Sequence, residues 1–103
     1  MIVRTWSARA TQRGADAYRA YFETTLLPEL HKLSGFSGAL LLSRDDDGLV
    51  ELTTHTMWES FEAIRAFAGE DFTTAVVEPE ALAVLHESDT TVVHRSVLVD
   101  SRI

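Results

Sequence analysis

Apolar and polar residues alternate in several segments of the chain, with the two-residue period that is typical of half-buried β-strands. The pattern predicts strands at residues 2–9, 36–44 and 49–57, and a valine-rich strand at residues 90–99. An Asp-Asp-Asp-Gly sequence at residues 45–48 separates the second strand from the third. Because such residues favour tight turns, we predict that these two strands form a β-hairpin.

Apolar residues three or four positions apart predict a helix over residues 13–33, before the second strand. Pro28 lies inside this helix, and its ring would collide with the carbonyl of Thr24 in a straight α-helix. We therefore expect a kink or a new start near Pro28. A glycine at position 35 ends the helical region.

A second helix is predicted to begin after the N-cap Ser60 and to end at Gly69. Residues 70–77 are predicted to continue as an irregular helical segment, and Pro79 to begin another short helix. The order strand, helix, strand, strand, helix, strand predicts an α+β, ferredoxin-like βαββαβ fold. Its four-stranded antiparallel sheet would carry both helices on one face.

Apolar residues occur on both faces of two predicted strands, although helices are expected on one face only. Leu41 and Leu42 point to opposite faces of the second strand, and Val92 and Val93 to opposite faces of the last. An uncovered apolar face predicts a partner. We expect a homodimer formed through this sheet face.

The chain has 103 residues, a formal net charge of -7, one lysine and no cysteine. This length predicts a single domain over residues 1–103. The negative charge argues against binding to nucleic acid or to anionic membranes. Neither a signal-peptide pattern nor a long apolar run is present, so we expect a cytoplasmic protein without a membrane segment.

Histidines are the natural candidates for proton transfer near neutral pH. His31 and His86 are expected in solvent, and the spacing of the four histidines predicts no metal site. His55 and His94 lie within predicted strands, where both could face one cavity or a dimer interface. The functional interpretation is a general base acting on a phenol or an enol. The structural alternative is a half-buried histidine at the interface, and the sequence leaves both open.

Four other side chains are predicted to contact a small apolar or aromatic substrate: Arg4, Trp6, Phe22 and Phe67. Arg4 shares a strand face with Trp6, where a guanidinium beside an indole could orient an anionic or aromatic ligand. Equally, Arg4 could pair with a carboxylate, and the aromatic side chains could fill the core. The chain lacks a GxSxG motif, a phosphate-binding glycine loop and a dinucleotide fingerprint. What remains is chemistry that needs a dry pocket and one proton acceptor.

Four short motifs resemble the antibiotic-biosynthesis-monooxygenase-like group of the dimeric α+β barrel superfamily. They are Ile-Val-Arg-Thr-Trp at 2–6, Leu-Pro-Glu-Leu at 27–30, Gly-Phe-Ser-Gly at 35–38 and Thr-Met-Trp-Glu-Ser at 56–60. The resemblance implies a homodimer whose sheets close into a barrel, with a small-molecule pocket in each protomer. It also implies one of several activities, among them cofactor-independent oxidation of aromatic polyketides, haem degradation and isomerisation.

The haem-degrading branch of that group uses an Asn on the first strand, a Trp in the second helix and a His after it. The matching positions here hold Trp6, Phe67 and Val76, so we do not expect haem degradation by that route. The sequence favours a cofactor-independent monooxygenase-like protein for a small aromatic or polyketide-type substrate. The alternatives are a non-catalytic dimer that binds a hydrophobic ligand, and a proton-transfer isomerase or cyclase.

Overall fold

Five antiparallel strands form one sheet in the computed structural model, which describes residues 1–102. The strands are β1 (Ile2–Ala10), β2 (Phe36–Asp46), β3 (Leu49–Trp58), β4 (Glu87–Ser88) and β5 (Val93–Ser96). The helices are α1 (Gln12–Tyr21), α2 (Leu27–His31), α3 (Phe61–Ala68) and α4 (Pro79–Leu82), with a π-helical turn at Phe22–Leu26 between α1 and α2. None of the helices in the described residues is long and apolar enough to cross a membrane.

The strand order is β2-β3-β1-β4, and β5 also pairs with β1. The predicted α+β, ferredoxin-like fold and the hairpin of β2 and β3 are thus confirmed. The central position of β1 matters for the site, because its side chains have neighbours on both sides. On its helix-covered face β1 buries Ile2, Arg4, Trp6, Ala8 and Ala10.

The first helical region differs from a straight α-helix near Pro28, as expected. Thr11 caps α1, since its side chain accepts a hydrogen bond from the backbone N–H of Gly14. At the first residue of α2, the N–H of Leu27 donates to the carbonyl of Phe22, and this hydrogen bond closes the π-helical turn. Pro28 has no backbone N–H to donate to the preceding turn. The π-helical turn therefore lies where the series of backbone hydrogen bonds along the helix is already interrupted.

The second helix begins and ends as predicted. The Ser60 side chain accepts a hydrogen bond from the N–H of Ala63, and Gly69 ends α3 with a φ of 86°. Pro79 is the first residue of α4. Within α3, Ile64 is fully buried.

The prediction of an irregular helical segment at residues 70–77 is wrong, because these residues form a turn followed by an extended loop. The carboxylate of Asp71 accepts hydrogen bonds from the hydroxyls of Thr73 and Thr74. Beyond this turn, the backbone of the loop pairs with a distant segment. The N–H of Ala75 donates to the carbonyl of Thr90, at 2.9 Å.

The prediction of one continuous strand at residues 90–99 is also wrong. Ser88 pairs with Ala8, and Val93 pairs with Thr5. The chain therefore takes five steps from Ser88 to Val93, while β1 takes three from Thr5 to Ala8, which leaves two extra residues. The extra residues bulge away from β1 and pair with the loop, including a bridge between Thr91 and Thr74. Within the predicted range only Val93–Ser96 forms a strand, because the residues before it pair with the loop, and β4 lies ahead of that range.

The other sheet face carries no helix in the described residues, and several apolar side chains on it are exposed. Leu40, Leu42 and Val93 expose 51%, 43% and 51% of their surface. Past β5, Leu98 and Val99 are almost fully exposed. The apolar character predicted for the uncovered face is therefore present in this chain.

The helix-covered side contains two hydrophobic clusters. The packed cluster is built on Ile2, Leu30, Trp58 and Ile64, of which Trp58 and Ile64 are fully buried. The cavity cluster contains Trp6, Tyr18, Phe22, Leu52 and Val92 with their neighbours. The cavity that forms the candidate site is lined mainly by residues of the second cluster, together with Leu30 and Phe67 of the first.

Candidate functional site

A cavity of about 420 Å³ opens between the sheet and the elements that cover it. This volume lies in the range that accommodates a small organic ligand. The residues that line it come from β1, β3, the first helical region, α3, α4, the loop before α4 and the bulge before β5: Arg4, Trp6, Tyr18, Tyr21, Phe22, Thr25, Leu26, Glu29, Leu30, Thr54, Thr56, Phe67, Ala75, Val76, Val77, Glu78, Glu80, Ala81 and Val92.

The structure brings together all four side chains that the sequence nominated for substrate contact. Arg4 and Trp6 reach the cavity because alternate residues of β1 point to the helix-covered face. Phe22 enters from the first residue of the π-helical turn, and Phe67 from the last turn of α3. Aromatic side chains thus form part of the wall, beside aliphatic groups and the guanidinium of Arg4.

Arg4 is almost completely buried, with 4% of its surface exposed. Its Nη1 donates to the carbonyl of Phe72, and its Nη2 donates to the carbonyl of Thr74 at 3.1 Å. The guanidinium carbon lies 5.8 Å from the ring centroid of Phe67, within the range of a cation–π interaction. Arg4 therefore anchors the loop over the cavity while it faces the cavity itself.

No carboxylate neutralises the charge of Arg4 among the ion pairs of residues 1–102. Burial lowers the pKa of its guanidinium, and no acidic neighbour offsets this effect. A buried cation held only by neutral acceptors is a costly arrangement, which an anionic ligand would relieve.

His94 lies behind Arg4 and does not line the cavity. Its Nε2 is 3.1 Å from Nη1 of Arg4, and its ring contacts Phe61 and Phe72 edge-on at centroid distances of 5.6 and 5.4 Å. Burial lowers the pKa of the imidazole, and the charge of Arg4 lowers it further. Because Arg4 can only donate, the neutral ring accepts this hydrogen bond at Nε2.

His55 lies on the opposite face of the sheet. It pairs with Thr5 across β1 and β3, and its Nδ1 is 3.0 Å from the Thr5 hydroxyl. His94 instead pairs with Arg4, on the helix-covered face. The two histidines therefore do not face one cavity, and neither belongs to its lining.

Two tyrosines bring hydroxyl groups to the aromatic wall. Tyr18 packs against Trp6 and Phe22 at centroid distances of 5.9 and 6.2 Å. Burial, together with the neighbouring Tyr21, raises the pKa of Tyr18 well above its ordinary value. Both phenols therefore stay protonated at neutral pH, since the pKa of Tyr21 is also raised, again chiefly by burial. They are hydrogen-bonding groups of the wall rather than bases.

Sequence reasoning missed part of the lining. Thr54 is 7% exposed and lines the cavity from β3. Its position on the same face as Leu52 and Trp58 is a signal in the sequence, because a hydroxyl on a buried face needs a partner. Residues 75–78 gave no such signal, since a loop shows no periodicity, and Ala81 gave none because α4 has only four residues.

The described residues offer no group of three or more His, Asp or Glu side chains that could hold a metal ion. The three positions compared with haem-degrading proteins, Trp6, Phe67 and Val76, all line the cavity. Indole, phenyl and isopropyl groups there leave no imidazole in the lining to ligate a haem iron.

No protein-family model and no curated protein sequence matches this chain significantly. Solved structures match it over nearly its whole length. A Bacillus cereus protein assigned as an antibiotic biosynthesis monooxygenase has a TM-score of 0.66 and 18% identity, covering 99% of this chain and 97% of that one. The Streptomyces coelicolor monooxygenase from the gene ActVA-Orf6, solved with nanaomycin D, has a TM-score of 0.61 and 16% identity, covering 97% and 92%.

The haem degrader MhuD from Mycobacterium tuberculosis, solved with two haems in its active site, has a TM-score of 0.55 and 23% identity, covering 99% of this chain and all of that one. These identities are low, so the likeness concerns the fold. The resemblance inferred from the four sequence motifs is confirmed at that level. The chain has the ferredoxin-like α+β fold of the antibiotic-biosynthesis-monooxygenase-type proteins.

Proposed function

We propose that this chain is a cofactor-independent monooxygenase-type enzyme that oxidises a small aromatic or polyketide-type molecule in the cavity. The observation that carries the proposal is Arg4, a buried guanidinium without a carboxylate partner at an aromatic-lined cavity. A phenolate or an enolate would supply the negative charge, and its planar ring suits the walls formed by Trp6 and Phe67. The shared fold with a monooxygenase adds support.

In the proposed reaction, Arg4 stabilises the ionised form of the substrate and so lowers the pKa of its phenol or enol. The proton released by this ionisation passes to solvent. The electron-rich anion can give one electron to dioxygen, and the two radicals combine at carbon to a peroxide anion, which takes a proton back from solvent. Loss of water from the resulting hydroperoxide converts a ring CH₂ and O₂ into C=O and H₂O. The aromatic walls exclude bulk water from this step.

Of the two histidines proposed as catalytic, His94 acts in this scheme as a positioning residue. It accepts a hydrogen bond from Nη1 of Arg4 and, together with the carbonyls of Phe72 and Thr74, fixes the orientation of the guanidinium beside the cavity. His55 has no part in this scheme, because it lies on the other sheet face with Thr5 as its partner. The structural alternative, a half-buried histidine at a subunit interface, suits His55 better.

Oxygen uptake with anthrone and with hydroquinones tests the proposal. Arg4→Gln should lower kcat/KM by roughly 100-fold, as expected when a group that stabilises developing charge is removed. Arg4→Lys keeps the charge but loses the planar pair of donors, so its kcat/KM should lie between those of the wild-type protein and Arg4→Gln. Arg13→Gln, an exposed arginine outside the cavity, serves as the matched control. Unchanged activity in Arg4→Gln would reject the assignment.

His94 has its own test, because a positioning role differs from a purely structural one in its pH profile. His94→Gln retains a hydrogen-bond acceptor for Arg4, whereas His94→Leu does not. Because a protonated imidazole cannot accept from Arg4, the wild-type rate should fall at acidic pH. We expect His94→Gln to keep most of the activity without the part of this fall that His94 causes, while His94→Leu loses activity at every pH. Equal pH profiles for the wild-type protein and His94→Gln would contradict this role.

A second candidate function is the binding of a small hydrophobic anion without catalysis. It is favoured by one observation: no imidazole lines the cavity in residues 1–102. Quenching of Trp6 fluorescence by 2-naphthoate, without oxygen uptake on any substrate tried, would support this function over the first. A proton-transfer isomerase or cyclase has less support, because the tyrosines of the wall are poor proton donors and acceptors at neutral pH.

We also propose that two copies associate through the uncovered sheet face into a cytoplasmic homodimer. The support is the exposure of Leu40, Leu42 and Val93 on a face without helices. Light scattering at micromolar concentration should give about twice the chain mass of 11.5 kDa. Leu40→Asp should give monomers, whereas Leu82→Asp on α4, an equally exposed leucine, should not. A wild-type mass near 11.5 kDa would reject the dimer.

A further inference from the structure

The charged groups of the cavity are divided between its interior and its mouth. Arg4 lies in the interior, with 4% of its surface exposed. Glu78 and Glu80 also line the cavity, but both are exposed, so they stand at the mouth. Tyr21 lies near them, since the charges of Glu78 and Glu80 contribute, after burial, to its raised pKa.

The two mouth carboxylates are not partners of Arg4. No ion pair in the described residues includes Glu78 or Glu80. Glu29, the third carboxylate of the lining, differs because Lys32 lies 3.1 Å from it. The cavity therefore combines an uncompensated positive charge inside with uncompensated negative charges at its entrance.

Two hydroxyl groups add hydrogen-bonding capacity to the cavity wall. Tyr18 and Thr54 are 3% and 7% exposed, and both line the cavity. Each hydroxyl can donate one hydrogen bond and accept others, so both can contact polar atoms of a bound molecule.

We propose that the ligand of this cavity is dipolar: an aromatic molecule with an acidic oxygen or a carboxylate at Arg4 and a basic amine at Glu78 and Glu80. The inference rests on the site of the proposed function and names its substrate class more closely. An amine fits better than a neutral group, because an ammonium would pair with carboxylates that have no cationic partner among the ion pairs of residues 1–102. The aromatic walls lie between the two charged ends and would hold the ring system.

Three matched probes test the dipolar ligand: 2-naphthoate, 6-(hydroxymethyl)-2-naphthoate and 6-(aminomethyl)-2-naphthoate. Binding is followed by quenching of Trp6 fluorescence at low ionic strength, in the full chain. We expect the aminomethyl probe to bind about three- to fivefold more tightly than the other two, the gain typical of exposed ion pairs. If the hydroxymethyl probe binds as tightly as the aminomethyl probe, the mouth does not recognise charge and the proposal is wrong.

The double variant Glu78→Gln/Glu80→Gln locates the effect. It should remove the advantage of the aminomethyl probe and leave the binding of 2-naphthoate unchanged or slightly stronger. Glu62→Gln/Glu70→Gln changes the net charge equally at exposed positions outside the cavity, and it should keep the advantage. If both double variants behave alike, the preference comes from the overall charge of the protein, which would overturn the assignment to Glu78 and Glu80.

Failure of this inference can be distinguished from failure of the proposed function. If 2-naphthoate binds in an Arg4-dependent manner and the amine adds nothing, the cavity is an anion site and only the dipolar ligand is rejected. If 2-naphthoate does not bind, the role of Arg4 in the proposed function fails as well.

Discussion

The two tryptophans show how differently the two hydrophobic clusters use the same side chain. Trp58 is fully buried, stacks on Phe67 at 5.3 Å and meets Phe36 edge-on at 5.3 Å. Trp6 packs against Tyr18 on one side and faces the cavity on another. Trp58 therefore fills the packed cluster, whereas Trp6 forms a wall of open space. Burial alone therefore does not separate a core residue from a site residue.

Their indole N–H groups differ in the same way. Nε1 of Trp58 donates to the Thr56 hydroxyl within the sheet, at 2.9 Å. Nε1 of Trp6 donates to the carbonyl of Asp89, also at 2.9 Å, in the segment that bulges away from β1. The hydrogen bond of Trp58 thus stays within one regular strand, whereas that of Trp6 fastens the irregular segment beside the cavity.

Removal of each indole gives the largest expected contrast. Trp58→Ala should lower the free energy of unfolding by about 3–5 kcal/mol, because it opens a void in the packed cluster. Trp6→Ala should cost at least ~1 kcal/mol less, since it enlarges a cavity that already exists and the exposed Asp89 can bind water instead. Urea titrations followed by circular dichroism measure both. Equal losses would mean that the cavity cluster is as tightly filled as the other.

Enlarging a small residue in each cluster should give an intermediate contrast. Ala63 packs closely against Gly35. A Cβ atom added to Gly35 would lie only 2.5 Å from the Cβ atom of Ala63. Ala63→Leu should therefore cost about 1–3 kcal/mol through overpacking. Ala81→Leu points a longer side chain at the cavity, so it should change the free energy of unfolding little.

The same pair has opposite effects on binding. Ala81→Leu should abolish quenching of Trp6 fluorescence by 2-naphthoate, because it occupies ligand space. Ala63→Leu, provided it remains folded at the assay temperature, should retain quenching. Quenching by 2-naphthoate in Ala81→Leu would show that the probe binds elsewhere.

The smallest expected effect is a pH dependence of stability from His94. Its pKa in the folded protein lies below the ordinary value of 6.5, first because of burial and then because of Arg4. At pH values below about 6.5 the unfolded chain therefore binds a proton that the folded chain still refuses, and stability falls as the pH decreases. Tm measured between pH 7.5 and 5 should drop less in His94→Gln than in the wild-type protein. His86→Gln, at an exposed histidine, should follow the wild-type curve.

The regular part of the fold could be predicted from the sequence because its signals are local. Alternation in β1 and β3 identified the buried faces, and with them Arg4 and Trp6 as neighbours in space. Ser60 and Gly69 marked α3 through the chemistry of helix ends. Each of these signals depends on residues that are close in sequence.

The missed parts depend on partners that are distant in sequence. The loop at residues 70–77 is extended because Arg4 binds the carbonyls of Phe72 and Thr74, and because the loop pairs with the segment near Thr91. The same pairing breaks the predicted last strand. Periodicity also could not place His55 and His94 on opposite faces, since that depends on the register of two strands against β1.

The π-helical turn has a consequence for how this chain aligns with its structural neighbours. The stripe of Tyr18, Phe22, Leu26 and Leu30 advances in three steps of four residues, which on an ideal α-helix would rotate it by about 120°. Wider winding at Phe22–Leu26 reduces that rotation, so the stripe stays on the cavity side. A homologue with one residue fewer in this turn would restore a plain α-helix and present the same wall, so its alignment with this chain would carry a single-residue gap here.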